Sequence, residues 1–356
     1  MFSPSPLPRN LEASFRDLAS LKAATRASAV RDIVSHSLRS DATRSRAIPL
    51  LEQILRDDGV PVVRAAAAVG LADIVAGEAL ATLLVAVEDD DSHVRQMALA
   101  AIGEIGDPRA TQRLERALRD ARPDVRYQAL IAFARVAKDD EVQVATALVR
   151  ALDDPDEAIR YIAMRLAEEH FAANPSAKPD ERLTARAERL VDSDDPSVAI
   201  VAALYLARLG HPRAGPVLLD VIAETRRTPE LEDEQACVEL AGELQLTDAI
   251  PHLERRAWGT RRVVRAVLSW GAGDSASCAW HARIALARMG HPRARTELMG
   301  ELVSWRRETR NAAVVAVGRA HVLEARETLR RLLAEEAGVP VDAALVREAL
   351  VRLAVE

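Results

Sequence analysis

Several residue types are scarce, and each scarcity excludes something. Aromatic side chains make up 3% of the 356 residues. That is too few to wall a cofactor cavity along the chain. The two cysteines, Cys237 and Cys278, cannot form a disulfide framework. No apolar run approaches the length of a membrane-spanning helix. The N-terminus, Met-Phe-Ser-Pro-Ser-Pro-Leu-Pro, lacks the basic stretch and apolar stretch of a secretory signal, so a cytoplasmic location is expected. Lysine occurs three times against 45 arginines, a bias typical of GC-rich genomes and consistent with a bacterial source. The net charge of −6 disfavours a general nucleic-acid binder.

What remains is 49% hydrophobic, mostly Ala, Leu and Val. This excludes general disorder and favours close helix packing. The chain also repeats itself. An Asp-rich turn, a β-branched residue, an Arg and an Ala/Leu-rich stretch recur around Val63-Arg64, Val94-Arg95, Val125-Arg126 and Ile159-Arg160. The β-branched residues stand 31, 31 and 34 residues apart. A period of this length fits a two-helix solenoid unit. A second mark, Gly-x-Pro-Arg-Ala, recurs at Gly106, Gly210 and Gly290. There Gly ends one helix in a left-handed cap, and Pro opens the next, where its missing N–H does no harm. Each unit reads as helix A, an Asp-rich turn, helix B and a Gly/Pro turn. In one unit helix A spans 78–88 and helix B spans 92–105. No strand pattern of comparable length appears.

The stretch Asp90 to Ala110 closely resembles the motif of HEAT-like repeats, in particular the bacterial phycobilisome-lyase type. The resemblance extends over roughly 40–356. It implies an all-α, right-handed α-solenoid (superhelix) of about nine two-helix repeats, and it is specific for fold rather than function. Residues 1–9 form a Pro-rich tail, 10–43 capping helices, 44–173 regular repeats and 174–180 a loop or hinge. Residues 181–356 hold degenerate repeats, with insertions near 225–234 and 259–275.

Arg64, Arg95, Arg126 and Arg160 occupy equivalent places, as do Arg265, Arg310 and Arg347. A structural ladder to the Asp-rich turns is favoured over a ligand site, because guanidinium–carboxylate pairing is bidentate. Deoxyhypusine hydroxylases, which are HEAT-repeat metal enzymes, carry His-Glu pairs; none of the eight His here precedes Glu. Cys278 and His281 share a helix face, but no second paired spacing supports zinc. No metal, cofactor or catalytic residue is therefore assigned, and a non-catalytic role is favoured over an enzyme.

One region stands apart. All four Trp (Trp258, Trp270, Trp280 and Trp305) fall within 250–310, beside twelve Arg and five acids, a local balance of +7. Trp and Arg dominate interface hot spots. Trp258, Arg261, Arg262, Arg265, Trp270, Trp280 and Trp305 are the candidate partner-binding residues. The favoured function is a protein–protein interaction scaffold or adaptor, binding an acidic segment or associating head to tail with itself. The resemblance offers two alternatives: a bilin lyase or lyase-like chaperone, and a nucleic-acid module using the basic 250–310 patch, as in the HEAT-like DNA glycosylases.

Overall fold

A computed structural model describes residues 10–173, 178–228, 230–259, 272–334 and 341–354; side chains of 272–277 are excepted. Among these residues the chain is all helix and turn, with 20 α-helices. It divides into two compact units, Met1–Glu169 and His170–Glu356.

In the first unit the helices are α1 (Leu11–Asp17), α2 (Ala23–Ser37), α3 (Asp41–Asp57), α4 (Pro61–Asp73), α5 (Leu80–Ala86), α6 (Ser92–Ile105), α7 (Thr111–Ala117), α8 (Pro123–Val136), α9 (Glu141–Ala151) and α10 (Glu157–Ala173), which runs past the boundary. The even-numbered α2, α4, α6 and α8 are the B helices, and they pack side by side. Each buries a stripe at helical spacing, such as Val94, Ala98, Ala101 and Ile102 on α6. Close approach depends on small residues. A Cβ on Gly103 would stand 3.1 Å from the Cα of Ala132 on α8. Helix A of the same repeat is shorter than its sequence pattern, because Gly77–Ala79 winds as a 3-10 turn before α5 begins.

The turns follow from cap chemistry. Asp91 caps α6 by accepting the N–H groups of His93 and Val94 at 2.9 and 3.2 Å. Gly106 then ends α6 in a left-handed conformation (φ 69°), and Gly210 and Gly290 do the same at φ 66° and 82°.

The second unit continues with α11 (Glu181–Leu190), α12 (Pro196–Arg208), α13 (Ala214–Ile222), α14 (Leu231–Glu243), α15 (Ile250–Trp258), α16 (Ala272–Arg288), α17 (Pro292–Glu301), α18 (Arg307–Arg319), α19 (Arg326–Ala334) and α20 (Ala343–Ala354). Its core joins Val238, Leu253, Ala285, Leu298, Val314, Leu329 and Val346. This alternation of A and B helices is a HEAT-type solenoid arrangement.

Candidate functional site

The Arg residues at the starts of the B helices form a ladder in the first unit. Arg64 donates from Nε and Nη2 to Asp89 at 2.8 and 2.7 Å. Arg95 reaches Asp120 at 2.9 and 3.1 Å, and Arg126 reaches Asp154 at 2.8 Å twice. In every case the carboxylate belongs to the turn of the next repeat. The third nitrogen, Nη1, turns back to a carbonyl six residues earlier: Asp58, Asp89 and Asp120 for the three Arg in order. Each rung Asp also accepts the N–H two residues on, as Asp89 does from Asp91 at 2.9 Å. One rung thus ties an Arg, its own turn and the following turn.

Arg26 supplies an earlier rung, to Asp58 at 2.6 and 2.8 Å. Sequence reasoning missed it because Ala23-Ala24-Thr25-Arg26 has no Asp-rich turn before it. Arg160 bonds the carbonyl of Asp154, but its one carboxylate contact among the described residues is Glu157, at 3.7 Å. The residue at the rung position of the following turn is Ser193, not Asp. In the second unit Arg310 keeps the bond to a carbonyl six residues back, that of Ser304, while Arg347 is exposed and Arg265 lies outside the described residues.

The ladder sets the charge states of its carboxylates. The hydrogen bond from Arg26 is the main reason the Asp58 carboxyl titrates below its ordinary range. For Asp89 and Asp154 burial pushes upward, but the bonds from Arg64 and Arg126 and from the backbone outweigh it. A cleft of about 420 Å³ beside the Arg95 rung is lined by Glu88, Asp90, Arg113 and Arg116 among others. Glu88 is already paired with Arg113.

The Trp-bearing region separates into different situations. Trp258 is half-buried at the end of α15, and its indole N–H donates to Glu297 at 2.9 Å. Arg293 lies over its ring and itself bonds Glu297. His291 packs at 5.4 Å between centroids. Trp280 is half-buried against the core, edge-on to His281, and its buried Nε1 has no hydrogen-bond partner among the described residues. Trp305 is 75% exposed, with only Arg306 stacked on it. Arg261, Arg262, Arg265 and Trp270 lie outside the described residues.

The local charge excess is also smaller than its sequence window suggests. Arg256, Arg288 and Arg295 pair with Glu234, Glu243 and Glu324, all distant in sequence from the window's own acids. Arg306 and Arg307 have no carboxylate partner among the described residues.

Arg306 precedes α18 and makes no side-chain cap, unlike Asp91 before α6 and Asp195 before α12 but like Arg122 before α8 and Val60 before α4. Losing such a cap costs about 1 kcal/mol. Arg307 also places a cation at the positive end of a helix dipole. Val303, 67% exposed, completes the tip.

Other reactive groups are held in place. Cys237 is fully buried, and burial pushes its thiol pKa upward, so thiolate is disfavoured. His281 lies 3.5 Å from Glu239. No cluster of metal-ligating side chains occurs among the described residues, and no helix there is long and apolar enough to cross a membrane.

The chain carries HEAT-like repeats: residues 48–134 match the family model described as HEAT repeats. Among solved structures it is similar to Escherichia coli YibA, with a TM-score of 0.52 and 18% identity over 77% of this chain and 93% of that one, which shows a shared fold. Looser likenesses reach the CpcE–CpcF complex of phycocyanin lyase from Nostoc sp. PCC7120 and importin beta. The first has a TM-score of 0.42 and 19% identity, covering 71% of this chain and 96% of that one. The second has 0.48 and 15%, covering 97% and 51%. Both are too loose to bear on what this chain does. No curated protein matches the chain in sequence.

Proposed function

We propose that this protein is a non-catalytic interaction scaffold of the cytoplasm that binds an acidic protein segment through its second unit. One observation carries the reading: the turn at 303–307 exposes Trp305 and Val303 beside Arg306 and Arg307, which have no carboxylate partner among the described residues. An exposed Trp adds nothing to the packing of the fold, which fits a surface that a partner covers. Trp supplies apolar area to bury, and Arg supplies bidentate donors for carboxylates. Arg261, Arg262, Arg265 and Trp270 extend the same chemistry in sequence.

The test is capture from lysate of the native host by wild type and by a Trp305→Ala, Arg306→Glu, Arg307→Glu variant. Loss of specific partners by a variant with unchanged helicity supports the reading. An identical set of partners contradicts it. Recovery of nucleic acid in place of protein would favour the alternative module.

A further inference from the structure

The B helices of the first unit leave one face uncovered. On α4 it runs Val62, Ala66, Val69, Asp73; on α6 His93, Met97, Ala100, Glu104; on α8 Asp124, Tyr127, Ile131, Arg135. These residues recur at helical spacing, and all are partly or wholly exposed. Val62 and Val69 are 54% and 38% exposed, and Met97, Tyr127 and Ile131 are half-buried. Tyr161 and Ile162 hold the corresponding register on α10, one and two residues after Arg160. On α4, α6 and α8 the centre of the face is therefore apolar and aromatic, whereas on α10 Arg165, paired with Glu169, takes the place of Ile131.

Its rim is acidic. The one cation at the rim of these three helices, Arg135, is paired with Glu104. That leaves Asp73 and Asp124, and Asp124 has only a 3.4 Å contact to Arg122. Glu157, near the same edge of α10, is exposed and lies 3.7 Å from Arg160. Gln96 and Gln128 stand among the apolar residues, half-buried and without a hydrogen bond among the described residues. A fitting occupant would carry apolar side chains with cations between them, and its backbone would meet the two free amides.

This chain contains such a segment. Residues 260–271, Thr-Arg-Arg-Val-Val-Arg-Ala-Val-Leu-Ser-Trp-Gly, hold three Arg, no acid, and Val, Leu and Trp between them. They lie outside the described residues. A dozen residues can reach roughly 40 Å, enough to cross several helices packed about 8–10 Å apart. We propose that residues 260–271 of a second copy of this chain dock on the first unit's α4–α6–α8 face. Arg261, Arg262 and Arg265 meet the carboxylates of Asp73 and Asp124, and the apolar residues cover Val69, Met97 and Tyr127. The contact is heterologous, so it propagates: each chain offers one segment and one face. The proposal rests on the scaffold reading of the basic segment and names one of its partners.

Sedimentation of the full chain tests it. Wild type is expected to show a mass that rises with concentration above 38.7 kDa. Arg261→Ala, Arg262→Ala, Arg265→Ala removes the segment's charge; Asp73→Lys, Asp124→Lys reverses the face. Each variant alone is expected to stay monomeric. An equimolar mixture is expected to form a one-to-one pair and nothing larger, because one intact segment and one intact face remain. A wild type that is monomeric throughout, or association that survives in both variants, overturns the proposal. A monomeric wild type that still captures partners through Trp305 would leave the scaffold reading standing.

Discussion

Arg126 grips Asp154 with two parallel hydrogen bonds of 2.8 Å, and the two residues belong to successive repeats. Both side chains are largely buried, at 15% and 13% exposure. The same carboxylate accepts the N–H of Asp156 at 2.9 Å, and the same guanidinium holds the carbonyl of Asp120. One charge pair therefore fixes two turns, which sets the stacking of neighbouring repeats.

Arg126→Met should lower the stability of the full chain by about 1–3 kcal/mol, since Asp154 and the Asp120 carbonyl lose charged or bidentate donors. Urea unfolding followed by circular dichroism measures it. An unchanged midpoint would show that water replaces the guanidinium without loss.

The ladder also predicts acid sensitivity. The folded-state pKa values of Asp58, Asp89 and Asp154 are lowered. Their contribution is thus fully present above the unfolded carboxyl range near 4 and is lost as pH falls through the lower folded values. Melting temperature measured from neutral pH down to strong acid should fall less steeply in an Asp89→Asn, Asp154→Asn variant, starting from a lower value. Parallel curves would mean that these carboxylates do not drive the acid transition.

Ala98→Leu should destabilise by about 1–3 kcal/mol through overpacking. Ala98 has no exposed surface, and α6 packs on both α4 and α8. Thermal melting is the check, and full tolerance would require the helices to separate without cost.

Trp258 and Trp305 should behave differently. Trp258→Phe removes the donor to Glu297 and should cost about 1 kcal/mol, whereas Trp305→Ala should stay within about 0.5 kcal/mol of wild type as an exposed surface change. Equal losses would mean that Trp305 packs against the fold.

Much of this was legible in sequence. The Asp-turn, Val-Arg and Gly-x-Pro punctuation marked the repeats, and the fixed offset of Arg95 and Arg126 from the turns pointed to carboxylate partners. The choice of carboxylate was less visible, because Arg95 selects Asp120, 25 residues on, while its own turn offers only carbonyls. The Trp region was legible in composition and misleading in charge. Partners such as Glu234 and Glu324 are brought in by stacking, which a local window cannot count. That Trp305 is exposed while Trp258 and Trp280 are half-buried was not readable in sequence, because it depends on which neighbours stacking brings to each ring.

The most direct measurement compares partner capture and melting side by side for wild type, Arg126→Met and the Trp305→Ala, Arg306→Glu, Arg307→Glu variant. The account predicts a double dissociation. The ladder variant melts earlier yet keeps its partners while folded, and the turn variant keeps its melting temperature and loses them. A turn variant that retains every partner, or a folded ladder variant that loses them, would contradict it.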